Sequence, residues 1–578
     1  MASKLSRRKF LGTGALVAGA TLAGGELLLN WKGQGVVSAA AGSSPALAKF
    51  VDALPIPDLM PQVAPNFYQV PMTQFRQQLH RDLPATTLWG YGGTFPGRTF
   101  EVRRGTPITV RWDNHLPTHH LLAKSIDPTV PDPSTKTLPK VRNVVHLHGG
   151  FSLPQFDGHP DAWYTPDMAQ TGTHFVSNEY TYGNDQQATA LWYHDHANAI
   201  TRLNVYTGLV GMYLIRDEVE DRLNLPRGRF EVPLILSDKT FNRDGSLYYA
   251  TQGVTTSHPV WVPEFFGDRA LVNGKVHPYL EVEPRRYRFR LLNASNARFY
   301  HLTIETKTPQ PFYQIGSDGG FMPAPVRLTD VLVAPAERLD LIVDFAHFAP
   351  GTVLTLRNDA NAPYPGGGGG DPIPEIMQFR VTRPLSSPDT SAAPESLAGS
   401  ALPAMAALAP GAATRRQIVV YEWDDDVTGN PIRSLLNGKY FEDPVSDFVQ
   451  DGGTEIWEFV NLTPDVHPLH VHLVEFQVLN RQPINEDAFT QAWLAGQDPQ
   501  VADYLLGGPT PPDTDERGPK DTVKTYPGMV TRIIARFDMP TYGQVVLPRN
   551  TTGPQYIYHC HILEHEDNEM MRPFQVNV

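Results

Sequence analysis

Tyr558-His559-Cys560-His561-Ile562-Leu563-Glu564-His565-Glu566-Asp567-Asn568-Glu569-Met570-Met571 holds the only cysteine of the 578-residue chain, flanked on both sides by histidine. The preceding Gln555-Tyr556-Ile557-Tyr558 is aromatic and β-branched, which predicts a strand running into the motif. Successive side chains on a strand point to opposite faces. His559 and His561 are therefore expected on one face and Cys560 on the other, so that one tripeptide serves an imidazole site and a thiolate site at once. His565 and Met570 follow at spacings from which a loop can return them to the cysteine side. A lone cysteine is ordinarily a buried core residue. Packing alone, however, gives no reason for three histidines so close to it.

Ten of the chain's 20 histidines fall in four short clusters: His146/His148, His194/His196, His467/His470/His472 and His559/His561/His565. Each cluster contains a His-x-His pair, and on a strand that spacing puts both imidazoles on one face. The four pairs supply eight ligands, enough for three metal ions of low coordination number sharing a cavity. His467 and His565 remain. With Cys560 and Met570 they complete the two-histidine, one-cysteine, weak-thioether set of blue copper. Pro468 favours an extended turn that separates His467 from the pair behind it. Zinc is the chemical alternative, but a catalytic zinc takes three protein ligands and a structural zinc four. The ligand supply here exceeds both.

Composition sets the frame. The length predicts three or four domains, and 53 prolines and 47 glycines with few long helical periods favour an all-β chain. A net charge of −13 argues against nucleic acid or an anionic membrane surface as partner. One cysteine leaves no intrachain disulfide. Ser6-Arg7-Arg8-Lys9-Phe10-Leu11, a modest apolar stretch to Leu29 and the small residues Ser38-Ala39-Ala40 make residues 1–40 a twin-arginine signal, cleaved on export to the periplasm or the extracellular space. No later stretch has some 18 uninterrupted apolar residues, so no spanning helix is expected after it.

Strand-like runs between turn signals divide the remainder into 50–217, 230–383 and 414–578, with 384–413, rich in Pro, Ser and Ala, as a surface linker. His146/His148 and His194/His196 lie at strand ends in the first block, the other clusters in the third. The middle block, with isolated His258, His277, His301 and His347, reads as a spacer without metal, and Gly366–Gly370 as a flexible loop. Residues 486–520 read as a long loop between strands, the kind that carries specificity. Asp424-Asp425-Asp426 reads as a solvated turn.

The four clusters resemble, in order and spacing, the copper signatures of the multicopper oxidases. Leu191-Trp192-Tyr193-His194-Asp195-His196-Ala197, Thr201-Arg202-Leu203-Asn204-Val205-Tyr206 and Tyr558 through Pro573 resemble the bacterial laccase branch that also holds spore-coat laccase, bilirubin oxidase and phenoxazinone synthase. The resemblance spans nearly the whole chain after the signal. It implies three cupredoxin-like Greek-key β-sandwich domains and four copper ions: type 1 on His467, Cys560, His565 and Met570, type 2 on His146 and His470, and a type 3 pair on His148, His194, His196, His472, His559 and His561. It further implies one-electron oxidation of phenols, aromatic amines or bilirubin-like compounds, coupled to reduction of dioxygen to water, by a monomer. Glu566 and Asp157 would supply protons. A cuprous oxidase for copper tolerance shares every ligand but tends to carry methionine-rich segments, and the 12 methionines here cluster only at Met570-Met571. A copper nitrite reductase would lack most type 3 histidines. A copper-free envelope-binding module would have no use for ten clustered histidines and a cysteine.

Overall fold

The computed structural model describes residues 43–578 apart from 132–136, 307–309, 369, 371, 398–401, 403–404, 412 and 550. The expected signal at 1–40 lies outside the described residues, as do parts of the 366–370 loop and of the 384–413 linker. The fold is predominantly β, with six sheets packed in pairs as three cupredoxin-like sandwiches. Each pair closes on its own apolar core. Trp89, Trp112 and Tyr193 fill the first, Phe289, Leu341 and Phe379 the second, and Trp457, Phe537, Tyr556 and Phe574 the third.

One topological element recurs in all three. Phe67–Gln77 runs parallel to Ile108–His115, Glu231–Phe241 to Arg286–Asn293, and Thr414–Asp424 to Gly453–Asn461. Parallel neighbours cannot be joined by a tight hairpin, so each pair requires the crossing connection of a Greek-key sandwich. Removing a buried tryptophan such as Trp457 from its core would cost about 3–5 kcal/mol.

Two strand pairs position the histidines. Val145–His148 pairs antiparallel with Thr189–Asp195 and sets His146 opposite His194. His467–Val471 pairs antiparallel with Gln555–Cys560, setting His470 opposite His559 and Leu469 opposite Cys560. Alternation does the rest: Leu469 and Cys560 enter the third apolar core, while His470 and His559 face the other way.

Three stretches differ from the sequence expectation. Residues 486–520 are not an unbroken loop. They contain the helix Glu486–Leu494, whose N-terminus is capped by the Asn485 side chain accepting from the Ala488 N–H at 3.3 Å and whose Phe489 packs with Val460 and Val530. The described part of the linker is pinned rather than merely laid across the surface, with Leu397 and Leu402 buried against Ile315, Phe321 and Ile342. Residues ahead of the first sandwich run along the second, where Ala53 bridges Tyr279 and Ser44 bonds Asp268. Among the described residues no helix is long and apolar enough to cross a membrane.

Candidate metal centre

Cys560 is fully buried, and its Sγ lies 3.5 Å from His467 Nδ1 and 3.8 Å from His565 Nδ1, which are 3.3 Å apart. A point equidistant from the three atoms is about 2 Å from each, the length of a metal–ligand bond. Burial pushes the Cys560 thiol well above its ordinary range, His467 down to about 3 and His565 well below the usual imidazole value. The pocket thus holds neutral imidazoles with available lone pairs and a thiol that only a nearby cation would turn into thiolate. The Thr463 hydroxyl meets His467 Nε2 at 2.6 Å, which leaves Nδ1 to face the sulfur. Met570 lies in the same apolar core as Cys560; its carbonyl accepts from the Cys560 N–H at 2.9 Å and its own N–H donates to the His565 carbonyl at 2.9 Å. Met571 packs elsewhere, against Phe441 and Ile557.

On the opposite face, the eight paired histidines converge from the first and third sandwiches into three groups. In the first, His196 Nε2 and His472 Nε2 lie 3.2 and 3.3 Å from His559 Nε2. His148, His194 and His561 form the second, with His194 Nε2 3.4 Å from His148 Nδ1. The third sets His146 Nε2 against His470 Nε2 at 3.4 Å.

Hydrogen bonds fix which nitrogen faces inward. His146 donates from Nδ1 to the Asp157 carbonyl, His194 to the Asp195 carbonyl at 2.8 Å, His470 to the Asp521 carbonyl at 2.8 Å and His559 to the Cys560 carbonyl at 2.9 Å. His472 Nδ1 donates to Asp157 Oδ2 at 2.7 Å. His148 is reversed: its Nε2 donates to Asp521 Oδ1 at 3.1 Å, and Nδ1 turns inward. The inward nitrogens of His472 and His559, of His148 and His194, and of His146 and His470 therefore carry lone pairs aimed at one another across 3.3–3.4 Å. Such an arrangement is repulsive unless a cation sits between them. Burial first, and then the neighbouring imidazoles, hold His146, His196, His472 and His561 well below the usual histidine value, the condition for ligation. Both nitrogens of His561 lack hydrogen-bond partners among the described residues. Buried polar atoms are seldom left so, and a metal ion would satisfy one of them.

Models of the multicopper oxidase family match residues 138–220 and 413–578. The laccase of Bacillus subtilis (strain 168) is 44% identical over 548 residues, spanning 92% of this chain and 99% of its own. The chain belongs to the multicopper oxidase family. The multicopper oxidase LPR1 homolog 1 of Oryza sativa subsp. japonica is 40% identical over 92% of this chain and 93% of its own. Among solved structures, the McoA multicopper oxidase of Aquifex aeolicus superposes with a TM-score of 0.69 at 27% identity, covering 92% of this chain and all of that one (100%). As a member of this family the protein is a copper oxidoreductase, and its histidine and cysteine clusters suit several copper ions.

Two carboxylates lie against the clusters of this oxidase. Glu566 is buried, with Oε2 3.2 Å from His559 Nδ1 and Oε1 3.7 Å from His196 Nε2, and neither oxygen has a hydrogen-bond partner among the described residues. Asp157 accepts from His472 through Oδ2 and leaves Oδ1 unpartnered; burial holds its carboxyl well above the ordinary range. The isolated histidines are engaged elsewhere: His258 between Thr129 and the Ile432 carbonyl, His301 beside Asp330 and Asp359, His347 against Phe348, and His277 buried near Phe50.

Sequence reasoning missed Thr463, Glu422, Asp521 and Thr522. Thr463 was within reach, four residues before His467 on the turn that leads into its strand. Asp521 and Thr522 reach His148 from 373 and 374 residues away, and nothing local marks them.

Proposed function

We propose that the protein is an exported, laccase-like oxidase that takes single electrons from phenols, aromatic amines or bilirubin-like compounds and reduces dioxygen to water. One observation carries this reading. Cys560 belongs to the thiolate pocket, and its immediate neighbours His559 and His561 belong to the eight-histidine cavity, so a single tripeptide joins the two sites covalently. Copper, when bound, would supply the one-electron steps at the thiolate site and the four-electron reduction of dioxygen in the cavity. His467, Cys560 and His565 would hold type 1 copper with Met570 as a weakly donating fourth ligand, and His146 and His470 type 2. His148, His194 and His561 would hold one ion of the type 3 pair, and His196, His472 and His559 the other. Apolar packing around Cys560 keeps water from the thiolate. Glu566, with no hydrogen bond committing its oxygens, takes and gives protons beside His559 and His196, and Asp157 does so beside His472. The twin-arginine sequence supports action outside the cytoplasm.

A second reading, oxidation of metal cations, has an observation of its own. Glu264, Glu422 and Asp465 gather near the thiolate site, with Glu422 Oε1 3.6 Å from His565 Nε2. Burial and then the charge of Asp465 hold Glu264 and Glu422 well above the carboxylate range, and burial raises Asp465 to about 7. Glu422 Oε1 and Asp465 Oδ1 have no hydrogen-bond partner among the described residues. Steady-state rates with a phenol, bilirubin and Cu(I) on copper-loaded enzyme separate the readings. The organic substrates are expected to give the higher kcat/KM; a clear preference for Cu(I) would make the protein a metal oxidase.

The thioether gives a further test. Met570 shares the Cys560 core and Met571 does not. Met570→Leu removes a weakly donating sulfur and is expected to raise the type 1 potential, with Met571→Leu leaving it unchanged in redox titration. A shift in the Met571 variant alone would mean that the wrong sulfur has been assigned.

A further inference from the structure

Among the described residues the middle sandwich contributes no histidine to either site, yet it reaches the cavity through Arg338, with Asp318 beside it. Arg338 opens the strand Arg338–Asp344 and is buried where the three sandwiches meet. Its Nη1 donates to Asp521 Oδ1 at 2.8 Å, and its Nη2 also contacts that carboxylate, making a two-point pair. Nε donates to the Ala190 carbonyl at 3.1 Å, on the strand that carries His194, and Nη2 to the Asp318 carbonyl at 3.0 Å. Asp318 in turn accepts from the backbone N–H groups of Arg338 at 2.9 Å and of Asp521 and Thr522 at 3.3 Å each. The clamped segment touches two cavity histidines: Asp521 Oδ1 accepts from His148 Nε2 at 3.1 Å, and its carbonyl accepts from His470 Nδ1 at 2.8 Å. Gly149, at φ +79°, follows His148, and any side chain there would run into both Asp521 and Arg338.

We propose that Arg338 is a positioning residue of the oxygen-reducing site: by fixing Asp521 in place, it sets the tautomer and orientation of His148 and His470, so the middle sandwich is a working part of the centre. The inference rests on the copper-oxidase reading above. Partners behind metal-binding histidines typically contribute 10- to 100-fold in metal affinity or activity. A guanidinium fork that meets a carboxylate at two points while bonding three carbonyls, those of Ala190, Asp318 and Ala336, cannot be copied by an ammonium.

The test compares copper-loaded wild type with R338M, R338K, D521N and the R338M/D521N double variant. It measures copper retained against a chelator, the type 2 paramagnetic signal, and the blue band with its potential. R338M is expected to lose affinity for the non-blue coppers by about 10- to 100-fold with band and potential unchanged, and R338K to recover part of the loss. If Arg338 acts through Asp521, the double variant should be no worse than the worse single one, since residues in one network are not additive. R338M holding all its copper as tightly as wild type would overturn the inference, as would equal loss of blue and non-blue copper together with a lower melting temperature of the copper-free protein. Should R338M fail to fold, D521N and R338K decide: wild-type affinity in both overturns it. A wild type that binds no copper would overturn the underlying reading and this inference with it. Full wild-type loading beside an equally well-loaded R338M would overturn this inference alone.

Discussion

Cys560→Ser is expected to abolish both the blue absorption and turnover while leaving the remaining copper in place. The substituted atom lies at the corner of a triangle with His467 and His565 whose sides are 3.3 to 3.8 Å. A hydroxyl at that corner is a hard donor that stays protonated in a buried pocket, so the thiolate on which blue copper depends is gone. His559 and His561 face the other way, and their cavity keeps all eight imidazoles. Stability does not cloud the outcome. Burying a hydroxyl costs about 1–3 kcal/mol, less than the roughly 5–15 kcal/mol that holds a folded domain together. Copper analysis with optical and paramagnetic spectra checks the result. The chain has no other cysteine, so a serine variant that kept the blue band would show that the colour does not come from a cysteine thiolate.

Glu566→Gln is expected to lower turnover by about 100- to 10,000-fold, the usual contribution of a positioned proton donor, with copper content and blue band retained. The glutamine keeps the size and hydrogen-bonding capacity of the side chain and removes only its ionisable proton. Glu566 sits against His559 and His196 with neither oxygen committed to a hydrogen bond among the described residues. The defect is therefore expected in reoxidation by dioxygen, while reduction of the blue site by substrate stays near normal in single-turnover measurements. Normal turnover with a normal pH profile would reduce Glu566 to a structural carboxyl and leave Asp157, bonded to His472, as the proton donor.

The difference between these two variants traces to strand alternation, and that much was legible in the chain. The run Gln555–Cys560 is a strand, and its two-residue period sends Cys560 into the apolar core with Leu469 and His559 into the cavity with His470. The His-x-His pairs were readable for the same reason, since spacing within one strand is a local property. What pairs with what was less accessible. His146 faces His470 across 324 positions and His148 meets Asp521 across 373; only the packing of the first sandwich against the third creates those contacts. The helix Glu486–Leu494 had a local signal, Asn485 followed by Glu486-Asp487, but the prolines at 509, 511, 512 and 519 made the whole region read as loop. The middle block read as a spacer because only ligand residue types were counted. Arg338 and Asp318 act by holding Asp521, and an arginine opening a strand carries no mark of that in sequence.

The central claim is that one tripeptide serves two copper sites, and copper counting joined to spectroscopy tests it most directly. The purified full chain, loaded with copper and freed of excess, is expected to hold about four ions by its ligand count and to be intensely blue. Cys560→Ser treated identically should be colourless and hold about three. A colourless wild type that still turned over, or a serine variant that lost all its copper at once, would contradict it.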